Sequence, residues 1–127
     1  MSVKTISVEN APKAIGPYAQ GIVAGGFLFT AGQVALDPTT MKLVEGDIAA
    51  QTRRVFDNLE AVLEGAGASL SDVVRSGVFL VDMADFTKMN EVFAARFGSH
   101  RPARTTVAVA ALPAGARVEI DLVVRVG

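Results

Sequence analysis

Arg104 stands at the lip of an apolar run, in the stretch RPARTTVAVAALP at residues 101–113. Its guanidinium offers five N–H donors in a planar fork, a two-point match for a carboxylate. Pro102 restricts the backbone leading to it, so the fork is held in a fixed place. Two readings are open for such an arginine: a carboxylate clamp, or a surface or interface ion pair. Glu119 lies in VEIDLVVRV at residues 118–126. It is a candidate general base or water-orienting group, or else one member of a solvated face shared with Asp121 and Arg125. Asn90 edges the apolar stripe of a helix, where it contacts a ligand or satisfies a buried carbonyl. Tyr18 ends the loop IGPYAQG and either walls a pocket or is an ordinary half-buried loop residue. Gly32, in TAGQ, lets backbone amides approach an anion closely, or marks a turn or bulge.

Other chemistries are poorly supplied. There is no cysteine and a single histidine, His100. Disulfides, thiolate metal sites and a cysteine nucleophile are excluded, and one chain cannot build a multi-histidine site. His100 reads as a loop residue rather than a base. AGGFLFTAG has glycines but no phosphate-loop lysine and no helix following in register, so no nucleotide site is expected. Neither a metal nor a cofactor is expected. Net charge is −1, with both signs mixed along the chain, and there is one tyrosine and no tryptophan. That argues against a nucleic-acid partner. MSVKTISVEN lacks the apolar stretch of a signal peptide, and no run approaches membrane-spanning length. No membrane partner is expected, and a cytoplasmic location is.

The elements that position these residues follow from periodicity. The length of 127 residues, half of them apolar, fits one soluble domain over residues 1–127. Residues 3–8 predict a short edge strand, followed by the shaped loop NAPKAIGPYAQG. Gly25-Gly26 between apolar runs predicts a hairpin in residues 19–33, and Asp37-Pro38-Thr39 a turn. Residues 47–64 predict a helix capped by Asp47, with Ile48, Thr52, Val55, Leu59, Val62 and Ala66 along one stripe and Gly65 and Gly67 at its end. Residues 73–81 predict a strand apolar enough to be covered on both faces. A second helix is expected at residues 84–97, with a stripe of Phe86, Met89, Phe93 and Phe97, broken by GSHRP. Strands are expected at 104–111 and 118–126. In the last, Val118, Ile120, Leu122, Val124 and Val126 share one face, and Glu119, Asp121, Val123 and Arg125 the other.

This order predicts an α+β fold with about six strands in a mixed sheet and two helices on one face. Two helices cover one face only. The other still carries Val, Ala, Thr and Phe, so it is expected to be buried against further copies of the chain.

Taken together, IGPYAQG, FTAGQV, DIAAQTRRVFDNLEAVLEGAGASLSDVV, VFLVDMADFTKMNEVFAARF, RPARTTVAVAALP and VEIDLVV resemble the RidA/YjgF reactive intermediate deaminases, in order and across essentially the whole chain. The resemblance implies a fold like that of the small trimeric chorismate mutases, and a homotrimer with clefts between subunits. It implies hydrolysis of 2-imino and 2-enamino acids, such as 2-aminoacrylate and 2-iminobutanoate, to 2-oxo acids and ammonia. It makes Arg104 the carboxylate-binding residue and Glu119 the residue that positions water. Tyr18, Ala31, Gly32, Asn90 and Thr106 become the substrate-binding wall. Two positions depart from the family pattern. Ala31 stands where many members have serine, and Thr106 where many have cysteine. These departures bear on substrate preference and rate more than on the reaction.

Three rivals accompany this reading. One is a trimer that binds a small carboxylate without turning it over. The second is ribonuclease or translation-inhibitor activity, as reported for relatives. The third is chorismate mutase, which needs several cations around a dicarboxylate, where only Arg104 is in place and Arg101 is the one further candidate.

Overall fold

The computed structural model describes residues 2–127. Its elements are β1 (Lys4–Ile6), β2 (Gly21–Ala24), β3 (Phe27–Thr30), α1 (Ile48–Gly65), β4 (Val73–Leu80), α2 (Phe86–Phe97), β5 (Ala103–Ala108) and β6 (Val118–Arg125). The six strands form one sheet in the order β1-β2-β3-β6-β4-β5. Only β4 and β5 run parallel, joined by the crossover through α2. The expected mixed sheet with two helices on one face is present.

Local chemistry sets the boundaries. Gly25 and Gly26 both take positive φ, +60° and +84°, as a two-residue hairpin turn between right-twisted strands requires. Asp37 Oδ1 accepts the amides of Thr39 and Thr40 at 2.7 and 3.2 Å and closes the expected turn. Asp47 Oδ1 accepts the amide of Ala50 at 2.9 Å and opens α1. The second helix begins with the first residue of its apolar stripe, two positions after the predicted start at residue 84. Residues Met83–Asp85 form a 3-10 turn, and α2 proper starts at Phe86.

Two strands are shorter than the sequence predicts by more than a single residue. β1 stops at Ile6 because the Gln20 side chain takes both backbone groups of Val8, accepting from its amide at 2.7 Å and donating to its carbonyl at 3.1 Å. β5 stops at Ala108 because its sole neighbour, β4, ends at Leu80; one last bond runs from the Val109 amide to the Leu80 carbonyl at 2.7 Å.

The core lies between the helices and one face of the sheet. Val118, Ile120, Leu122 and Val124 of β6 are buried there with Val55, Phe56, Leu59, Val62 and Leu63 of α1 and Met89, Phe93 and Phe97 of α2. Phe56 meets Phe93 and Phe97 edge-on, with ring centroids 5.6 Å apart in each pair. Fully burying one such side chain contributes about 2 kcal/mol.

The far face is bare. β4, expected to be covered on both sides, is covered by helices on one side only. Its Phe79 and Arg75 line an open hollow with Phe29, Thr105, Val107 and Asp121. Phe29 is 47% exposed and Val107 40%. Large apolar side chains arranged in this way across neighbouring strands form a continuous wet patch.

Candidate active site

Arg104 lies on the second residue of β5, directly opposite Ser76 of β4. Its side chain turns toward α2. Nη1 donates to Asn90 Oδ1 at 2.8 Å. The guanidinium carbon lies 4.6 Å from the centroid of the Phe93 ring and 5.5 Å from that of Phe86. The stack is a cation–π arrangement and also a steric shelf. Burial lowers the Arg104 pKa from its ordinary value; the group nonetheless remains a cation. With Nη1 anchored on Asn90, the rest of the fork is presented to a cleft of about 400 Å³ lined by Asn90, Phe93, Ala94, Arg101, Pro102 and Arg104. Asn90 therefore does two things: it borders the cleft, and it aims the guanidinium.

Glu119 lies in a different cleft, of about 440 Å³, with Tyr18, Ala31, Gly32, Gln33 and Ala114 among its walls. Its carboxyl is pushed above the ordinary carboxylate range, first by burial and then by the neighbouring charge of Asp121. That places a proton acceptor closer to neutrality, as general base catalysis favours. The backbone at Gly32 runs against this carboxyl. A Cβ at position 32 would fall 2.5 Å from Glu119 Oε2. The contact is fixed by a strand-like pair, in which Gln33 and Ile120 exchange amide-to-carbonyl bonds at 2.9 and 3.1 Å.

The loop carrying Tyr18 is shaped by one buried amide. Gln20 Nε2 donates to the carbonyls of Ala11 and Pro12 at 3.3 and 2.9 Å, in addition to Val8. Tyr18 itself is exposed, and its hydroxyl accepts the Ile15 amide at 3.4 Å. Across the cleft, the wall at Val34 and Leu36 is tied to α1 by buried Asn58, whose Nδ2 donates to their carbonyls at 3.2 and 3.0 Å. Both amides look like ordinary polar residues in the sequence. A glutamine between Tyr18 and a glycine, and an asparagine beside the α1 stripe, were the available signals.

Within one chain, the two clefts are on opposite faces of the sheet. Arg104 pairs with Ser76, and Ser76 pairs with Leu122 of the core. Laterally paired residues share a face. Glu119 is three positions from Leu122 and so projects the other way. The structure thus brings Tyr18, Ala31, Gly32 and Glu119 together, and separately brings Asn90 and Arg104 together. Thr106 shares Arg104's face, but its hydroxyl is buried without a hydrogen-bond partner and lines neither cleft. His100 is a loop anchor, its Nε2 bonded to the Val73 carbonyl at 2.7 Å.

The family model described as Endoribonuclease L-PSP matches residues 8–126. A RutC family protein of Pyrococcus horikoshii is 53% identical over 120 residues, covering 94% of this chain and 95% of that protein. The chain belongs to the RidA/YjgF family. Another relative, the 2-iminobutanoate/2-iminopropanoate deaminase of Escherichia coli K12, is 43% identical over 123 residues, covering 94% and 95% of the two chains. Among solved structures, RidA from an Antarctic Psychrobacter superposes with a TM-score of 0.93 at 45% identity, covering 97% of this chain and 99% of that one. Likeness to RidA/YjgF proteins therefore extends through both clefts. Among the described residues, no helix is long and apolar enough to cross a membrane.

Proposed function

We propose that this chain hydrolyses small 2-imino and 2-enamino carboxylates, including 2-iminobutanoate and 2-iminopropanoate (from 2-aminoacrylate), to 2-oxo acids and ammonia. The carrying observation is the preset Arg104 fork, held by Asn90 and shelved on Phe93, with donors left over for a carboxylate. The name of the E. coli relative supports the substrate class.

The working unit is a homotrimer, in which the bare sheet face packs against other copies. At the β5 edge of the sheet, the Arg104 cleft on the helix side of one subunit meets the Glu119 cleft on the bare side of the next, which is how two groups on opposite faces of one sheet act on one small molecule. Arg104 binds the carboxylate. Glu119 takes a proton from a water whose oxygen attacks the imine carbon. The C=N double bond becomes a single bond, and the nitrogen takes a proton from solvent, giving a carbinolamine. Glu119 returns its proton to that nitrogen as the C–N bond breaks. The hydroxyl loses its proton to solvent as the carbonyl forms, which restores the proton taken up during addition, and ammonia departs. Positioning accounts for most of the acceleration, since the imine carbon is already electrophilic. Tyr18, Ala31 and the Gly32 backbone wall the pocket.

RNA cleavage, which the family model's description names, would call for a track of cations along a nucleic-acid backbone. Net charge of −1 with both signs interspersed does not favour one.

The test is a coupled assay. An amino-acid oxidase or a serine or threonine dehydratase generates the imine, and semicarbazide traps what is not hydrolysed. The wild-type protein is expected to lower the trapped imine, and folded Arg104→Ala is expected to match the blank. No decrease with any of several imino acids overturns the reading in favour of a binding trimer.

A further inference from the structure

The cleft beside Arg104 holds a second cation. Arg101 borders the same space, separated from Arg104 by Pro102 and Ala103, and no acid is among the residues lining it. Like Arg104, Arg101 has no carboxylate partner among the described residues; the ion pairs present engage Arg54, Arg96 and Arg117. Two uncompensated guanidiniums in one concavity repel each other and attract anions.

Both are held in place. Arg101 Nη1 donates to the carbonyls of Gly98 and His100, the second at 2.9 Å. Gly98 ends α2 with φ of +67°. His100 is pinned to β4 through the Val73 carbonyl. Pro102 narrows the backbone freedom of Arg101 itself. The Arg101 head is thus fixed through one nitrogen, as Arg104 is fixed through Asn90, and each keeps further donors for a ligand.

We infer that this cleft takes substrates with two anionic groups, the imines of dicarboxylic amino acids, with Arg104 on the 2-carboxylate and Arg101 on the side-chain carboxylate. This rests on the deaminase reading for the reaction, but not for the binding. It makes Arg101 a specificity-determining residue. The reaction class that supplies such substrates is oxidation of the amino group of an acidic amino acid, which leaves the imine carbon next to the 2-carboxylate.

The binding test uses stable 2-oxo acids, which are the products. Calorimetry on the intact protein compares 2-oxoglutarate with 2-oxobutanoate. A second charge-assisted contact is expected to make 2-oxoglutarate bind roughly tenfold tighter. Arg101→Gln is expected to erase that preference, and Arg101→Lys to restore part of it. Equal affinities in the wild-type protein overturn the inference, and so does a preference that survives Arg101→Gln. Imine turnover is measured alongside. Turnover of 2-iminobutanoate with no dicarboxylate preference removes the Arg101 role alone. A preference without turnover of any imine removes the deaminase reading alone.

Discussion

Gly32 and Glu119 occupy space that only one side chain can fill. A Cβ at position 32 would lie 2.5 Å from Glu119 Oε2 and 2.8 Å from its Cδ. The carboxyl therefore rests on bare backbone, and the glycine is required by close approach rather than by an unusual φ. Gly32→Ala is expected to push the carboxyl off its position while leaving the core intact. Displacement of a reacting group by about an ångström costs on the order of a hundredfold in rate. Steady-state kinetics with thermal melting as a folding control measures this. Unchanged kcat/KM in Gly32→Ala would show that the carboxyl need not stay where it is.

Arg104 and Glu119 project from opposite faces of one sheet, so a shared substrate needs two subunits. Folded Arg104→Ala and Glu119→Gln proteins are each expected to be nearly inactive. Mixed, denatured and refolded together in equal amounts, they are expected to recover activity. A cleft is intact when it draws Arg104 from one variant and Glu119 from the other, each with a chance of one half, so about one quarter of the wild-type activity returns. A mixture no more active than its parents would mean that both groups act within one chain or that the copies do not assemble in this way.

The Glu119 carboxyl is pushed upward by burial first and by Asp121 second. As proton acceptor it works when ionised, so the acid limb of kcat/KM against pH is expected above the ordinary carboxylate range. Asp121→Asn keeps an acceptor for the Gly77 amide, bonded at 3.0 Å, but removes the charge. The limb is expected to move to lower pH, and a limb that stays put would take Asp121 out of the electrostatics. Stability carries the opposite sign from a salt-bridged acid. Below the unfolded pKa both states hold the proton and Glu119 costs nothing. As pH rises past that value the unfolded chain ionises first, and the cost grows until the folded pKa is passed. Glu119→Gln is therefore expected to raise Tm at neutral pH and to give no gain in strong acid.

Much of the fold is written in periodicity. The α1 stripe from Ile48 to Val62 is buried, as are Met89, Phe93 and Phe97 of α2 and the alternating Val118, Ile120, Leu122 and Val124 of β6. These patterns are local, because helix and strand repeats depend on neighbouring residues only. The glycine pair at the hairpin and Asp47 at the helix start are local for the same reason. The strand ends were not legible, because β1 ends where a side chain from Gln20 intervenes and β5 ends where its neighbour stops.

The sequence by itself determined that an arginine would be held at the start of β5, that a glutamate would alternate with the core face of β6, and that one sheet face would lack a cover. Tertiary structure alone decided which groups share a space. Cross-strand register puts Arg104 with Asn90 and Arg101, and Glu119 with Tyr18 and Gly32, on opposite sides of the sheet. Register depends on pairing between residues far apart in the chain, and a shift of one residue exchanges the faces. No local pattern carries that information. The same holds for the shelf of Phe93 beneath Arg104: as one member of an apolar stripe it reads as core, and only the packing of α2 across β5 brings its ring to the guanidinium.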